Sequence, residues 1–251
     1  MKKRSTPFGF SQRVQLEWLN QTAELALSGK KPDEIRLALN EMLSDKLSVN
    51  STKEAGSGSN RDKVVSIMTK IWVTPPPHLT GLRKDGLQML NRLPRQERLP
   101  IHWGMSMAVY PFFGQVAETV GRLLRLQNTI SATQVQRRLC EQLGEGETVS
   151  RAARRVIRSF VDWGVLLDTP QLGMYQAASP INLTDRELLT WLLEAVLIST
   201  DAKTGLLNVL TEAPSLYPFK FASTTVLQPE INPRLELFYQ GVDQRLISLR
   251  A

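Results

Sequence analysis

The sequence predicts a mainly α protein, with an N-terminal helical region, a central pair of short helices followed by a small β-hairpin, and a C-terminal α+β packing region. Three observations predict it. Apolar residues recur at helical spacing through most of residues 11–162, helix-start and helix-stop residues bracket those runs, and β-type runs are confined to 165–177 and the region after Pro214. The expected divisions are 1–74 (helical region), 75–110 (connector and helices), 111–179 (central segment) and 180–251 (C-terminal helix and strands). With 251 residues and 42% hydrophobic content the chain can bury a sizeable core and is too apolar to stay disordered.

At the N-terminus Ser11 is placed to cap a helix running to about Leu27 through Val14, Leu16, Leu19 and Ala23, with Gly29 just beyond its end. Pro32, Asp33 and Glu34 suit a first helical turn, because Pro lacks the donor that position cannot use and the acids face the positive end of the helix dipole. Residues 49–60 are small and polar, a loop or linker. Their Gly-Ser-Gly-Ser is followed by no Gly-Lys-Ser/Thr and preceded by no apolar strand, so a phosphate-binding P-loop is not expected. A third helix runs from Arg61 to Trp72 and stops before Pro75-Pro76-Pro77, an extended connector. Thr80 to Leu93 forms another. His102–Tyr110 and Pro111–Leu126 read as two helices or as one broken at Pro111.

The segment from Ile130 to Ala178 is the most definite. Ser131-Ala132-Thr133-Gln134 is a capping box opening a helix from Ala132 to Leu143, and Gly144-Glu145-Gly146-Glu147 breaks it. Thr148 is placed to cap the next helix, Val149 to about Asp162, with Gly164 past its end. At about 100° per residue, Arg151, Arg154, Arg155 and Arg158 fall within about a third of the circumference, and the apolar residues lie opposite. No acid falls on that front. Four like charges so spaced repel one another, which suits a phosphate-lined groove better than a solvated face. Val165–Asp168 and Gly173–Ala177 then read as two strands around a Pro-containing turn.

Charge agrees with this placement. Residues 83–158 hold 13 basic and 6 acidic residues, while 159–251 hold 6 and 10, so the overall charge of +7 originates ahead of the last third. Twelve of those 13 are arginine, whose planar fork matches phosphate and guanine. The order of helix, capped helix, Arg-rich helix ending in Trp163-Gly164-Val165-Leu166, and hairpin resembles the winged helix-turn-helix superfamily over about residues 112–178. The resemblance implies that Ser150, Arg151, Arg154, Arg155 and Arg158 face the major groove of double-stranded DNA. It places Arg137 and Arg138 on phosphates and Gln171 of the wing near a backbone or minor groove; Arg122 and Arg125 are lesser candidates. The wing departs from the family in being poor in Lys and Arg. Winged helices also serve as protein-docking modules, so an assembly subunit whose basic helix docks on an acidic partner is the alternative, with structured RNA another. The N-terminal helices, the Ser59-to-Lys63 helix start and this middle together resemble the small non-enzymatic accessory subunits of BREX-type bacterial phage-defence systems, which implies a larger protein complex.

No enzyme is expected. Cys140 is the only cysteine and His78 and His102 the only histidines, too few for a Cys/His zinc site; carboxylate-only metal sites stay open. There is no H-E-x-x-H, G-x-S-x-G, nuclease-type acidic pair or dinucleotide fingerprint, and no cofactor is called for. Cys140 reads as a small buried hydrophobe and His102 as a core or helix-start residue. No apolar run reaches the length of a membrane span; the strongest, Leu188 to Ile198, contains Glu194. Polar residues follow the basic Met1-Lys2-Lys3-Arg4, so no signal peptide is read and a cytoplasmic location is expected. In the acidic C-terminal third, Thr184-Asp185-Arg186-Glu187 is a capping box for a helix to about Thr200. A shorter helix is expected over Ala202–Leu210, and strands over Leu216–Phe221 and Arg234–Tyr239.

Overall fold

The structure is a computed structural model and describes residues 9–47, 59–144, 146–221, 231–240 and 244–250. The linker expected at 49–60 lies outside the described residues except for its last two. Helices α1 (Leu16–Leu27), α3 (Asn60–Trp72) and α4 (Thr80–Arg92) pack against α5 (Leu99–Val109), all eleven residues of which are buried, and α2 (Pro32–Met42) packs on α1 and α3. A helix apolar on every side can only sit inside others. The break before Pro111 is real: α6 (Pro111–Leu126) starts with the proline in its first turn, and Tyr110 between the helices is non-helical.

The central segment continues through β1 (Thr129–Ser131), α7 (Ala132–Leu143), α8 (Glu147–Asp162), β2 (Leu166–Asp168) and β3 (Met174–Ala177). The three strands form one antiparallel sheet in the order β1-β3-β2, with Ile130 opposite Tyr175 and Leu167 opposite Gln176. The Ser131–Gln134 capping box of α7 is formed on both sides. Gly144 has φ of 93°, a left-handed conformation a side chain would strain, and this ends α7 sharply enough for α8 to follow.

The remaining chain forms β4 (Ile181–Leu183), α9 (Arg186–Ser199), β5 (Thr204–Leu206), α10 (Leu207–Thr211), β6 (Phe219–Phe221), β7 (Leu235–Gln240) and β8 (Gln244–Leu249). Strand β4 pairs with β6 in parallel, and β5, β8 and β7 form an antiparallel sheet in that order. Ten of the fourteen residues of α9 are buried, and it packs along α5. One contiguous buried cluster runs from Phe10 to Ile247. At its centre the Trp103 ring of α5 lies 5.1 Å from Phe113 of α6, 4.7 Å from Phe160 of α8 and 5.9 Å from Trp163, which ties α8 into the N-terminal helices.

Several local expectations are corrected. Ser11 caps no helix: Phe10 and Val14 are buried, and the extended segment they anchor lies against α8, so α1 starts only at Leu16. Thr148 is not the cap of α8, because the helix has already begun at Glu147 after Gly146. Asp185, not Thr184, caps α9 by accepting from the Leu188 N–H. The helix expected at Ala202–Leu210 is a strand followed by a shorter helix, since pairing with β8 extends Thr204–Leu206. Strand β6 starts at Phe219, because residues 214–216 coil into a 3-10 turn.

Candidate nucleic-acid interface

Helix α8 has two chemically opposed faces. Val149, Ala152, Ala153, Val156, Ile157 and Phe160 are buried, burial that contributes about 1.5–3 kcal/mol for each large side chain and fixes the helix rotation. That rotation turns Arg151, Arg154 and Arg155 outward and leaves Arg158 half-buried. The four arginines and Arg13 line a concavity of about 300 Å3, and among the described residues no other lines it.

Arg13 carried no signal in the sequence reading. It lies on the extended segment before α1, which is strapped across α8 by three contacts. The Val14 N–H donates to Ser159 Oγ at 2.9 Å, Trp163 Nε1 donates to the Val14 carbonyl at 2.9 Å, and Arg13 grips both oxygens of Asp162. The hydrogen bond to Asp162 raises the Arg13 pKa further above its ordinary value. Only the strap brings Arg13 beside residues about 140 positions later in the chain, so no spacing rule reveals it.

The expectation of an acid-free arginine front is corrected. Glu147, in the first turn of α8, accepts from Arg151 Nη2 at 2.5 Å, and Asp168 of β2 accepts from Arg158 Nη1 at 2.8 and 3.0 Å. Burial works against the Arg158 charge, and the bonds to Asp168 and Tyr175 outweigh it. Among the described residues Arg154 and Arg155 have no ion-pair partner. The face therefore holds two unpaired guanidiniums between three that are paired and steered. Each exposed pair adds about 1 kcal/mol of stability or less, so an incoming anion can exchange for it at low cost.

The other candidates scatter more widely. Ser150 is half-buried against α7, with Oγ 3.5 Å from Cys140 Sγ, and belongs to the helix–helix contact and not to the front. Arg137 and Arg138 are exposed on α7 and lie 3.6 and 3.9 Å from the carboxylate of Glu141. Gln171 is exposed in the turn of the hairpin, where its carbonyl accepts from Met174 N–H at 3.1 Å. Arg122 pairs with Glu118, and Arg125 donates to the Glu212 carbonyl. His102 is a core residue: Trp72 Nε1 donates to its Nδ1 at 3.0 Å, so Nε2 carries the proton and donates to Asn20 Oδ1 at 2.9 Å. No group of three or more His, Cys, Asp or Glu among the described residues is placed to hold a metal ion. Among those residues no helix is long and apolar enough to cross a membrane.

Comparison with family models, curated proteins and solved structures finds no match to this chain.

Proposed function

We propose that residues 111–177 form a winged helix-turn-helix, with α6, α7 and α8 as its three helices and β2–β3 as its wing, and that the protein binds double-stranded DNA without catalysing a reaction. The sheet order β1-β3-β2, with the hairpin leaving the end of α8, supports the winged-helix reading. The observation that carries the DNA reading is the concavity on α8 lined, among the described residues, by arginine alone. Arg154 and Arg155 meet phosphates directly, and Arg151 and Arg158 join them by releasing Glu147 and Asp168. Arg137 and Arg138 supply a second line of phosphate contacts from α7. Phosphate neutralisation supplies most of the affinity, and a forked arginine–guanine contact adds sequence preference.

The test is duplex binding followed by fluorescence anisotropy across a salt series, for the natural chain and for Arg151→Ala/Arg154→Ala/Arg155→Ala/Arg158→Ala, with circular dichroism confirming the fold. The slope of log K against log salt should fall by about 0.9 per lost phosphate contact, about two to four units for the quadruple variant. Absence of binding to mixed-sequence duplex at low salt sinks the reading. The arginine face then becomes the surface on which to look for an acidic protein partner.

A further inference from the structure

The arginine concavity concentrates charge more than one backbone phosphate uses. Its five guanidiniums, set against the three carboxylates of Glu147, Asp162 and Asp168, leave a surplus of two positive charges around about 300 Å3. A phosphodiester brings one negative charge to any one point, whereas a terminal or chained phosphate brings about two or more. The volume lies at the lower end of small-molecule sites, too small to enclose a large organic ligand. Three of the five forks are held in place by acids, Glu147 and Asp162 of α8 and Asp168 of β2, so they converge before any anion arrives. We propose that this concavity is a receptor for a linear polyphosphate chain, as carried by a nucleoside triphosphate, and that its occupation displaces duplex DNA. Arg154 and Arg155 provide the unpaired charge, and Arg13 closes the site from a segment outside α8. Guanidinium forks bind phosphate oxygens in pairs, which gives such a cluster its geometric selectivity.

The inference shares its residues with the DNA reading but not its outcome. Isothermal titration of the full chain with inorganic triphosphate, against sodium chloride of matched ionic strength, is expected to show saturable one-to-one binding. Arg154→Ala/Arg155→Ala should weaken it by about tenfold or more, the loss of two charge-assisted contacts. Both side chains are exposed and unpaired among the described residues, so this variant keeps the fold, as circular dichroism would verify. Orthophosphate should bind at least about tenfold more weakly than triphosphate, because it offers fewer oxygens to the forks. Heat that never saturates, an unchanged affinity in the double variant, or equal affinity for the two phosphates overturns the proposal. In a second arm triphosphate is added to the labelled duplex complex. If duplex binds and triphosphate releases it no better than matched chloride, the polyphosphate site fails and the DNA reading stands. If triphosphate saturates the site and no duplex binds, the DNA reading fails and the site remains.

Discussion

Acid should weaken this protein through one buried imidazole. His102 has no solvent exposure and sits between the donor of Trp72 and the acceptor of Asn20, so it has one proton to give and no room for a second. Burial, with the Arg98 charge adding to it, pushes its pKa down from 6.5 to about 3. Because the folded pKa is depressed, the stabilisation is fully present above pH 6.5 and is lost as pH falls toward 3. The unfolded chain takes up a proton over that window and the native one does not. At pH 4.5, about two units below the unfolded value, the loss is about 3 kcal/mol at 1.36 kcal/mol per unit. Urea unfolding followed by tryptophan fluorescence at pH 7.5 and 4.5 measures it. His102→Gln removes the titration while its amide still accepts from Trp72 or donates to Asn20, so it isolates this group from the carboxylates. The stability difference between the two pH values should shrink by about 3 kcal/mol in the variant. Equal pH dependence in the two proteins would refute the assignment.

Three further outcomes are expected. A methyl at Gly121 of α6 would lie 2.0 Å from the Pro214 carbonyl oxygen, so Gly121→Ala should cost about 3 kcal/mol or more in urea unfolding; a cost under about 1 kcal/mol would mean the turn yields freely. Glu194 is buried and accepts from Arg234 Nε at 2.6 Å and Asn232 Nδ2 at 2.6 Å, so Glu194→Gln should lose about 2 kcal/mol. That is less than the ~3–5 kcal/mol of a fully buried pair, because Arg234 is part-exposed and keeps Asp85. Asp168→Asn removes the carboxylate that Arg158 must release, worth about 1 kcal/mol or less, so duplex affinity at fixed salt should rise by up to about fivefold, and an unchanged affinity would place Arg158 outside the contact.

The parts of the fold that were legible in the sequence are those whose cause is local. Helix α7 could be read to the residue because Ser131 and Gln134 exchange their capping bonds within one turn, and the apolar back of α8 follows from a 3.6-residue period sustained over sixteen residues. Strands β1, β4 and β5 span three residues each, too few for alternation to register, and each exists only because a partner from far along the chain lies beside it. The candidate site divides in the same way. The arginine face follows from spacing, but the Glu147–Arg151 pair, although only four residues apart, is hidden by a helix start read at Val149, which leaves Glu147 in the preceding turn. The Arg158–Asp168 pair needs the turn from α8 into β2, and Arg13 needs the whole N-terminal strap folded onto α8. Linear reading therefore describes four bare charges on one helix, whereas folding produces five converging charges, three of them already paired. The distinction matters chemically. Bare charges on a rod predict contacts with evenly spaced phosphates, while a converging and partly neutralised set selects for a compact anion that can displace carboxylates already in place.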